Sequence, residues 1–521
     1  MKFQIIPPGR AHGRRILLAA ELQAVDRRAI DVLGVPGLAL MENAGRHLAC
    51  AVADRVPPGS RVAICVGSGN NGGDGSVGAR HLLGWGYAVD LLLCATRRRL
   101  QGDAAVMLRA AETAGVPVRE LDTVGEFAEH LPPTTLACVV DAVLGTGVRG
   151  EVGGVAAEAI AWMNAQGCPI IAADLPSGLC ADTGRVLGDA VRATETVTFV
   201  ASKLGHWLYP GPLYVGQLRI VDIGMPARAL AGIPHREVLL DQALAPAFAP
   251  RSPDQHKGQA GHLLVVAGSP GHTGAARLTA EAALRAGAGL VSVALPAAAV
   301  ALLAPALTEA MYLEAFAGPD PEAAAAHLAA EVTGRDAVVL GPGMPTDAHA
   351  QATLQALLPH LDRPAVLDAD ALNHLAGEPE RLRHLAAAVI TPHPGEAGRL
   401  LGRTTAEIQA DRVGAVQALA QRSGAVAVLK GAHTLIADPA GALWICPEGN
   451  AGMATAGMGD VLAGLIGALL ARGLSPLDAA RAGVLWHARA GDVAAARRTP
   501  TSLLARDVIE ALADVERSWY R

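Results

Sequence analysis

Runs of apolar, often β-branched residues alternate with amphipathic, Ala-rich segments along most of the chain. This alternation is typical of βαβ units, in which parallel strands form a sheet and the connecting helices cover it. In the first half it predicts strands at Arg61–Val66, Ala88–Cys94, Ala137–Asp141, Pro169–Ala173 and Thr194–Val200. It predicts helices there at Glu21–Val32, Met41–Val56, Gly75–Trp85, Gly102–Ala114 and Ala156–Gln166.

The same alternation returns in the second half after an interruption. It predicts strands at His262–Ala267, Leu290–Leu295, Ala337–Leu340, Ala365–Asp368, Ala388–Ile390 and Val426–Leu429. Between Met225 and Lys257 the pattern fades and prolines accumulate, which is typical of a linker. We therefore predict an α/β protein with one domain over residues 1–228, a linker over 229–253 and a second domain over 254–521.

One uncharged stretch, Ala286–Thr308, is long enough to span a bilayer. Glycines at its start and prolines within it instead favour a strand, a turn and a buried helix.

Composition narrows the functional classes. The chain has 521 residues, a formal net charge of −6 and only 3 % aromatic residues, and it shows no basic stripe, which disfavours a nucleic-acid binder. No two of the seven cysteines lie close enough for a CxxC motif, and several fall in apolar strands. We interpret them as buried, reduced thiols of a cytoplasmic protein without membrane partners.

Glycines follow the first clear strand of the chain. Gly67, Gly69 and Gly72 match the spacing GxGxxG between a strand and a helix, which lets backbone N–H groups approach a phosphate. The acidic residue expected at the end of the next strand is missing, because Asp90 comes too early. This argues against an ordinary NAD dehydrogenase.

The run Asn70–Gly75 offers two carboxamides and a carboxylate to a hard cation or a ligand. The alternative is a turn that needs Asn and Gly in left-handed conformations. Two further strands end in Asp141 and Asp174, each followed by a glycine-containing loop. Because carboxyl ends of parallel strands meet at one edge of a sheet, three polar strand ends favour a ligand site.

With Met41–Gly45 and Asp222–Gly224, these segments resemble the NAD(P)H-hydrate epimerase domain over about Leu18–Pro226. The resemblance implies a Rossmann-like three-layer domain, a potassium ion held by Asn71, Asp141 and Ser177, and a catalytic Asp174. The residues that it implies in contact with the dinucleotide are Asn70, Asn71, Gly72, Gly73, Asp74, Gly145, Thr146, Gly147, Val148, Arg149, Gly150, Glu151 and Asp174. Ser76 is a small departure, since the family usually has an aliphatic residue there.

The clearest chemical signal of the second half is the glycine-rich segment Asn450–Asp460, which precedes an apolar helix at Val461–Leu470. Glycines at a helix N-terminus form an anion site, and Asp460 there fits a base that deprotonates a hydroxyl during phosphoryl transfer. The alternative for Asp460 is a helix N-cap. Lys430 could neutralise phosphate or be solvated, and His393, in a Pro/Gly loop, favours a ligand contact.

These segments resemble the ADP/ATP-dependent NAD(P)H-hydrate dehydratase domain, a ribokinase-like fold, over about Asp254–Val515. The resemblance implies that the hydrated dinucleotide meets Ala275, Gly343, His393 and Asp460. It implies that the adenine nucleotide is held by Lys430, Gly431, Ala432, His433, Thr434 and Gly459. Ala456 and Met458 replace the Gly and Thr of many members, which leaves the glycine spacing intact.

Together the two resemblances imply repair of hydrated NADH and NADPH (NADHX and NADPHX). The first domain would interconvert the R and S epimers at nicotinamide C6, and the second would dehydrate the S form with ADP or ATP and Mg²⁺. We also expect a homo-oligomer. The alternatives are a ribokinase-like small-molecule kinase fused to a dinucleotide-binding domain, and a non-catalytic dinucleotide sensor. The roles of Asp368 and Asp370 stay open at this stage.

Overall fold

The structure is a computed structural model that describes residues 3–6, 14–127 and 135–520. The chain divides into two compact units, one ending at Ile233 and one beginning at Pro234. Each unit is built around its own sheet.

The first unit has, within its described residues, an eight-stranded parallel sheet and a separate two-stranded pair. The strands are β1 Phe3–Ile6, β2 Ile16–Leu17, β3 Arg61–Val66, β4 Ala88–Leu93, β5 Val118–Glu120, β6 Cys138–Ala142, β7 Ile170–Ala173, β8 Glu195–Phe199, β9 Ser202–Lys203 and β10 Gln217–Val221. The described helices are α1 Ala19–Arg27, α2 Gly37–Ala53, α3 Asn70–Gly84, α4 Gly102–Thr113, α5 Gly154–Asn164 and α6 Pro212–Val215.

The strand order of this sheet, β1-β10-β8-β7-β6-β3-β4-β5, explains where a ligand site can form. From β3 the chain moves outward to β4 and β5, and then returns to β6 on the other side of β3. In open α/β sheets the crevice at the carboxyl ends of such neighbouring strands is the usual binding site. The strands next to it are buried on both faces, which is why they read as continuous apolar runs.

The second unit has a ten-stranded sheet within its described residues, in the order β11-β20-β19-β18-β17-β16-β15-β12-β13-β14. Its strands are β11 Arg236–Val238, β12 His262–Val266, β13 Leu290–Leu295, β14 Met311–Glu314, β15 Ala337–Leu340, β16 Ala365–Leu367, β17 Ala388–Ile390, β18 Val426–Leu429, β19 Leu435–Ala437 and β20 Leu443–Ile445. Strand β19 is antiparallel to both of its neighbours, and the other pairs are parallel.

Helices pack on this second sheet. They are α7 Thr273–Arg285, α8 Ala297–Leu303, α9 Pro321–Thr333, α10 Ala348–Leu357, α11 Ala369–Asn373, α12 Pro394–Leu401, α13 Thr405–Ala410, α14 Arg412–Ser423, α15 Met458–Ala471, α16 Pro476–Arg497 and α17 Ala505–Trp519. Helix α15 approaches α7 so closely that a Cβ on Gly464 would lie 2.1 Å from the Thr279 carbonyl oxygen. Its apolar sequence therefore reflects burial in the core of the unit.

The predicted α/β class is confirmed for both units. The predicted bounds of β3, β13, β15, β17 and β18 match the structure. The uncharged stretch 286–308 contains the predicted strand and helix, β13 and α8, but the helix is not buried as predicted, since only Ala299 and Leu303 of α8 are buried. No helix in the described part of the chain is long and apolar enough to cross a membrane.

The predicted linker over 229–253 differs from the observed boundary. Ala229 and Leu230 are buried in the first unit, whereas β11 pairs with β20 and Phe248 is buried in the core of the second. The prolines broke the sequence periodicity, but the apolar residues between them still pack. The boundary therefore falls after Ile233.

Candidate active sites

A cavity of about 920 Å³ lies in the first unit, where the loops after β3, β6 and β7 meet. Ten residues predicted to contact a dinucleotide line it: Asn70, Asn71, Asp74, Gly145, Thr146, Gly147, Val148, Arg149, Glu151 and Asp174. The other three, Gly72, Gly73 and Gly150, are not among its lining residues. Its size is within the range of about 300–1,000 Å³ that small-molecule and cofactor sites occupy.

The glycines of the first motif serve packing rather than a left-handed turn. Helix α3 begins at Asn70, five residues before the predicted start at Gly75, and the Asn70–Gly75 run forms its first turns without positive φ angles. A Cβ on Gly72 would lie 2.0 Å from the Gly67 carbonyl oxygen, and one on Gly73 would lie 2.5 Å from the Met41 sulfur. These contacts bring the N-terminus of α3, with its free N–H groups, to the cavity wall.

Asp174 is held in an unusual backbone conformation at the end of β7, with φ of +63°. The Thr198 hydroxyl donates a hydrogen bond of 3.0 Å to Asp174 Oδ1, and the buried Lys203 ammonium donates to the same oxygen. Lys203 Nζ also donates to Thr198 Oγ1 over 2.7 Å. A positive φ at a non-glycine residue is strained and persists only when its surroundings fix it, which these contacts do.

His206 supports Asp174 from the other side. The Lys203 backbone N–H donates to His206 Nδ1 over 3.0 Å, so the ring proton is assigned to Nε2, which donates to the Asp174 carbonyl oxygen over 3.0 Å. Burial lowers the pKa of His206 to about 3, and Lys203 adds to this effect. His206 is therefore neutral at pH 7 and fixes the backbone at Asp174.

Two more carboxyl groups, Asp26 and Asp74, line the same cavity. Burial raises the pKa of Asp26 to about 6, with Asp174 raising it further and Lys203 opposing the rise. Burial also raises the pKa of Asp74 well above its ordinary value, and both Asp174 and Asp26 add to the rise. Three carboxyl groups therefore interact around one ammonium.

A network of hydrogen bonds connects Asn71, Asp141 and Ser177, the three predicted cation ligands. Asp141 accepts hydrogen bonds from the Ser177 backbone N–H over 2.7 Å and from Ser177 Oγ over 2.6 Å. Asn71 Nδ2 donates to the Leu144 carbonyl oxygen over 3.0 Å, and the Leu144 N–H donates to Ser177 Oγ over 2.8 Å.

The residues present fit a hard cation. Asn71 Oδ1 is buried and has no hydrogen-bond partner in the described chain. Burial raises the pKa of Asp141 to about 6, although its Ser177 hydrogen bonds lower it. An unsatisfied buried oxygen beside a buried carboxyl is what a cation would complete. Among the described residues, no group of three or more His, Cys, Asp or Glu side chains is placed so that it could hold a metal ion, so amide and hydroxyl oxygens would have to contribute.

In the second unit, Asp460 lies in the first turn of α15. The residue before this helix, Gly457, has φ of +90°, and a Cβ there would lie 2.5 Å from Leu278. Burial raises the pKa of Asp460 to about 7, with Asp368 adding to the rise and Lys430 opposing it. No described backbone N–H is capped by the Asp460 side chain, so the N-cap alternative is not what the structure shows.

Lys430 and Asp368 form an ion pair, and both charges act electrostatically on Asp460. Lys430 Nζ donates to Asp368 Oδ1 over 2.6 Å and lies 3.7 Å from Glu396 Oε2. Burial lowers the pKa of Lys430, but the carboxylates Asp368 and Glu396 outweigh it and raise the net value. Lys430 is therefore a paired, partly buried ammonium, which excludes the solvated alternative. A Cβ on Gly459 would lie 3.2 Å from Lys430 Nζ, so the glycine keeps this approach open.

The residues predicted to meet the hydrated dinucleotide lie at neighbouring loops. Gly343 follows β15 with φ of +62°, and a Cβ there would lie 2.9 Å from the Ala275 Cβ. His393 caps α12, accepting a hydrogen bond of 3.0 Å from the Gly395 N–H at Nδ1, while half of its side chain is exposed. Its Nε2 lies 3.3 Å from Glu396 Oε1, and burial lowers its pKa.

The predicted nucleotide segment 430–434 follows β18 as a tight turn. Gly431 has φ of +132° and His433 has φ of +52°, and Thr434 Oγ1 donates to the Gly431 carbonyl oxygen over 3.1 Å. Ala432 is exposed at the tip of this turn. Arg412 lies beneath it, so that a Cβ on Gly431 would lie 2.6 Å from Arg412 Nη1.

Sequence reasoning missed several of these residues: Asp26, Thr198, Lys203, His206 and Arg412. One feature of the sequence does point to Lys203 and Lys430. The chain has only four lysines among its 43 Lys and Arg residues, and two of them, Lys203 and Lys430, lie within three residues after a predicted strand. Both pair with a buried carboxylate.

Comparison with known proteins agrees with the two sites. Residues 37–205 match the model of the YjeF-related protein N-terminus, and residues 263–514 match that of NAD(P)H-hydrate dehydratase. The bifunctional NAD(P)H-hydrate repair enzyme of Moorella thermoacetica is 42 % identical, over 96 % of this chain and 97 % of its own length. The Escherichia coli enzyme of that name is 39 % identical, over 95 % of this chain and 92 % of its own length.

Among solved structures, the ADP/ATP-dependent NAD(P)H-hydrate dehydratase of Bacillus subtilis, co-crystallised with ATP and Mg²⁺, is 28 % identical. The match covers 56 % of this chain and 100 % of the Bacillus subtilis chain, with a TM-score of 0.48. The 42 % and 39 % identities to the Moorella thermoacetica and Escherichia coli enzymes extend along nearly the whole chain, and both family models match in order. The chain belongs to the family of bifunctional NAD(P)H-hydrate repair enzymes.

Proposed function

We propose that this chain repairs hydrated NADH and NADPH in two steps, one in each unit. The first unit interconverts the R and S epimers at nicotinamide C6, and the second removes water from the S epimer. The observation that carries the proposal is Asp460, a buried carboxyl in the first turn of a glycine-opened helix beside the Lys430–Asp368 pair. The corresponding group in the first unit is Asp174, a carboxylate that is ion-paired with Lys203.

In the first unit, the N-terminus of α3 and the loop 145–151 hold the dinucleotide at the cavity wall. Asp174 assists departure and return of the C6 hydroxyl while the ring nitrogen N1 supplies electrons, so that the ring passes through a planar iminium ion. The Lys203 ammonium donates a hydrogen bond that holds the Asp174 side chain in place, and the Asp174 carboxylate stabilises that cation. The fixed backbone at Asp174 orients the carboxylate before the substrate arrives.

For this unit we propose that Asn71, Asp141 and Ser177 hold a potassium ion. The support is the unsatisfied Asn71 Oδ1 beside the buried Asp141 carboxyl. When bound, the ion supplies the positive charge that offsets Asp141. The residues themselves connect the start of α3 to the loop after β6, and so they fix one wall of the cavity.

In the second unit, Asp460 takes the proton from the C6 hydroxyl, whose oxygen attacks the terminal phosphorus of ADP or ATP. The P–O bond to the rest of the nucleotide breaks, so ADP leaves as AMP. The phosphorylated C6 oxygen then departs as phosphate while C5 loses a proton, which restores the C5–C6 double bond. N–H groups at the start of α15 and Lys430 offset the charge of the transferring phosphoryl group, and Mg²⁺ accompanies the nucleotide.

The remaining expectations concern the whole protein. All seven cysteines are unpaired thiols in the described chain, which supports a reducing compartment such as the cytoplasm. A homo-oligomer stays a prediction, and sedimentation velocity of the purified chain tests it.

The test is a mixture of R and S NADH hydrate incubated with the purified chain, Mg²⁺ and either ADP or ATP. Recovery of dihydronicotinamide absorbance is followed together with chromatography of both epimers. Conversion of both epimers supports two active units, and the faster nucleotide identifies the donor. Loss of the S epimer alone, at the spontaneous rate of epimer exchange, contradicts the epimerase proposal. A stable phosphorylated product contradicts the dehydratase proposal and indicates a kinase.

A further inference from the structure

Asp26, near the C-terminal end of α1, is a cavity residue that the proposed mechanism does not use. It lines the cavity with Asp74 and Asp174, although it is far from both in sequence. No group in the described chain donates a hydrogen bond to its carboxyl. The carboxyl is therefore available to a molecule in the cavity.

The charges around the cavity differ among the three carboxyl groups. The Lys203 ammonium donates its hydrogen bonds to Asp174 and Thr198, and so it fixes the charge of Asp174 rather than that of Asp26. Burial raises the pKa of Asp26 to about 6, and the neighbouring Asp174 charge adds to this rise. The charged groups that act on Asp26 are Lys203, which lowers its pKa, and Asp174, which raises it. Asp74 interacts electrostatically with the carboxyl groups of Asp26 and Asp174.

The difference among the three carboxyl groups matters for the first step of epimerisation, in which the C6 hydroxyl departs. Hydroxide is a poor leaving group, so a C6 hydroxyl departs readily only when it receives a proton. Asp174 is already engaged, because its Oδ1 accepts hydrogen bonds from the Lys203 ammonium and the Thr198 hydroxyl. Asp74 is more buried than Asp26 and would leave a costly charge behind if it gave up a proton.

We propose that Asp26 is the proton donor of the epimerase, a catalytic residue distinct from Asp174. As the C6–O bond breaks, the Asp26 proton goes to the departing oxygen, which leaves as water. The N1 electron pair forms the C6=N1 bond of the iminium ion, and Asp26 becomes a carboxylate. Water then adds to the opposite face of C6, and its proton returns to the Asp26 carboxylate through water in the cavity. The proton count of the site is the same before and after, so no other reactant is needed.

The inference rests on the proposed epimerase activity, and the test separates the two. Epimer exchange of NADH hydrate is measured without nucleotide, in the full chain, after subtraction of the spontaneous rate. The variants are Asp26→Asn and Asp26→Glu. The matched control is Asp31→Asn, which changes an exposed carboxyl five residues away that does not line the cavity.

In Asp26→Asn, kcat is expected to fall about 100-fold or more, the usual contribution of a positioned acid, with KM within about threefold. Asp26→Glu should recover part of the rate. Asp31→Asn should match the parent. In the parent, kcat/KM should fall as pH rises above about 6, because the donor must be protonated, and this fall should be absent in Asp26→Asn.

Two results would overturn the inference alone: an Asp26→Asn rate within about threefold of the parent, or the parental pH profile retained in that variant. If Asp26→Asn does not fold, an Asp26→Glu variant without any activity above the spontaneous rate, but with the parental melting temperature, contradicts proton donation by a flexible carboxyl. If the parent chain itself does not accelerate epimer exchange, the proposed function and this inference both fail.

Discussion

Replacing Lys203 by Met tests the buried charge cluster of the first unit. The change removes an ammonium that is fully buried and that donates hydrogen bonds to Asp174, Thr198 and the Phe199 carbonyl oxygen. Asp174 then stays in the protein interior without its partner. Breaking one side of a buried ion pair typically costs about 3–5 kcal/mol.

Proton uptake sets an upper limit on this loss. Protonating an ordinary aspartate costs about 4 kcal/mol at pH 7 and about 1.5 kcal/mol at pH 5. A variant that keeps the Asp174 carboxyl neutral therefore loses no more than this from the unpaired charge itself. We therefore expect the first unit of Lys203→Met to be less stable than the parent by about 3–4 kcal/mol at pH 7 and by about 1.5 kcal/mol at pH 5.

Hydrogen exchange followed by mass spectrometry measures this difference, because it reports the opening free energy of peptides from β6, β7 and β8 in the full chain. The control is Lys257→Met, which removes an exposed lysine of the second unit and should leave these peptides unchanged. A loss below about 1 kcal/mol at pH 7, or an equal loss at the two pH values, would refute the reasoning.

Further predictions concern both sites. Asp460→Asn should reduce dehydration of the S epimer about 100-fold or more, and in the parent this rate should fall as pH drops below about 7, because the base must be ionised. Asn71→Ala should weaken the dependence of epimer exchange on potassium, measured in potassium against choline chloride; an unchanged dependence contradicts the cation site. Gly72→Ala places a Cβ 2.0 Å from a carbonyl oxygen and should destabilise the first unit by about 1–3 kcal/mol in hydrogen exchange. Gly69→Ala, which meets nothing within 4 Å, is its matched control and should change stability by less than about 0.5 kcal/mol.

The sequence by itself determined the central strands of both sheets. Strands such as β3 and β15 are buried on both faces, so each forms a short, nearly continuous apolar run that periodicity can identify. The sequence pattern did not predict the strands at the edges of the two sheets. The strand β14 is partly exposed and too short to show a pattern, and β11 lies among prolines. Their existence depends on a neighbouring strand that lies far away in the chain.

The sequence also indicated Asp174 and Asp460, because each stands beside glycines at the end of a strand or the start of a helix. It could not indicate what surrounds them. Lys203 meets Asp174 across 29 positions, and Lys430 meets Asp368 across 62. Sheet topology alone brings these side chains together.

The start of α3 shows the same limit at a local scale. The Asn70–Gly75 run has the composition of a loop, yet it is helical because Gly72 and Gly73 pack against Gly67 and Met41. Local propensity favours a turn there, and tertiary contact overrides it. The sequence thus determined the elements and the polar strand ends. Only the tertiary structure decided which charges share a cavity, since burial and electrostatic interaction depend on distance in space rather than along the chain.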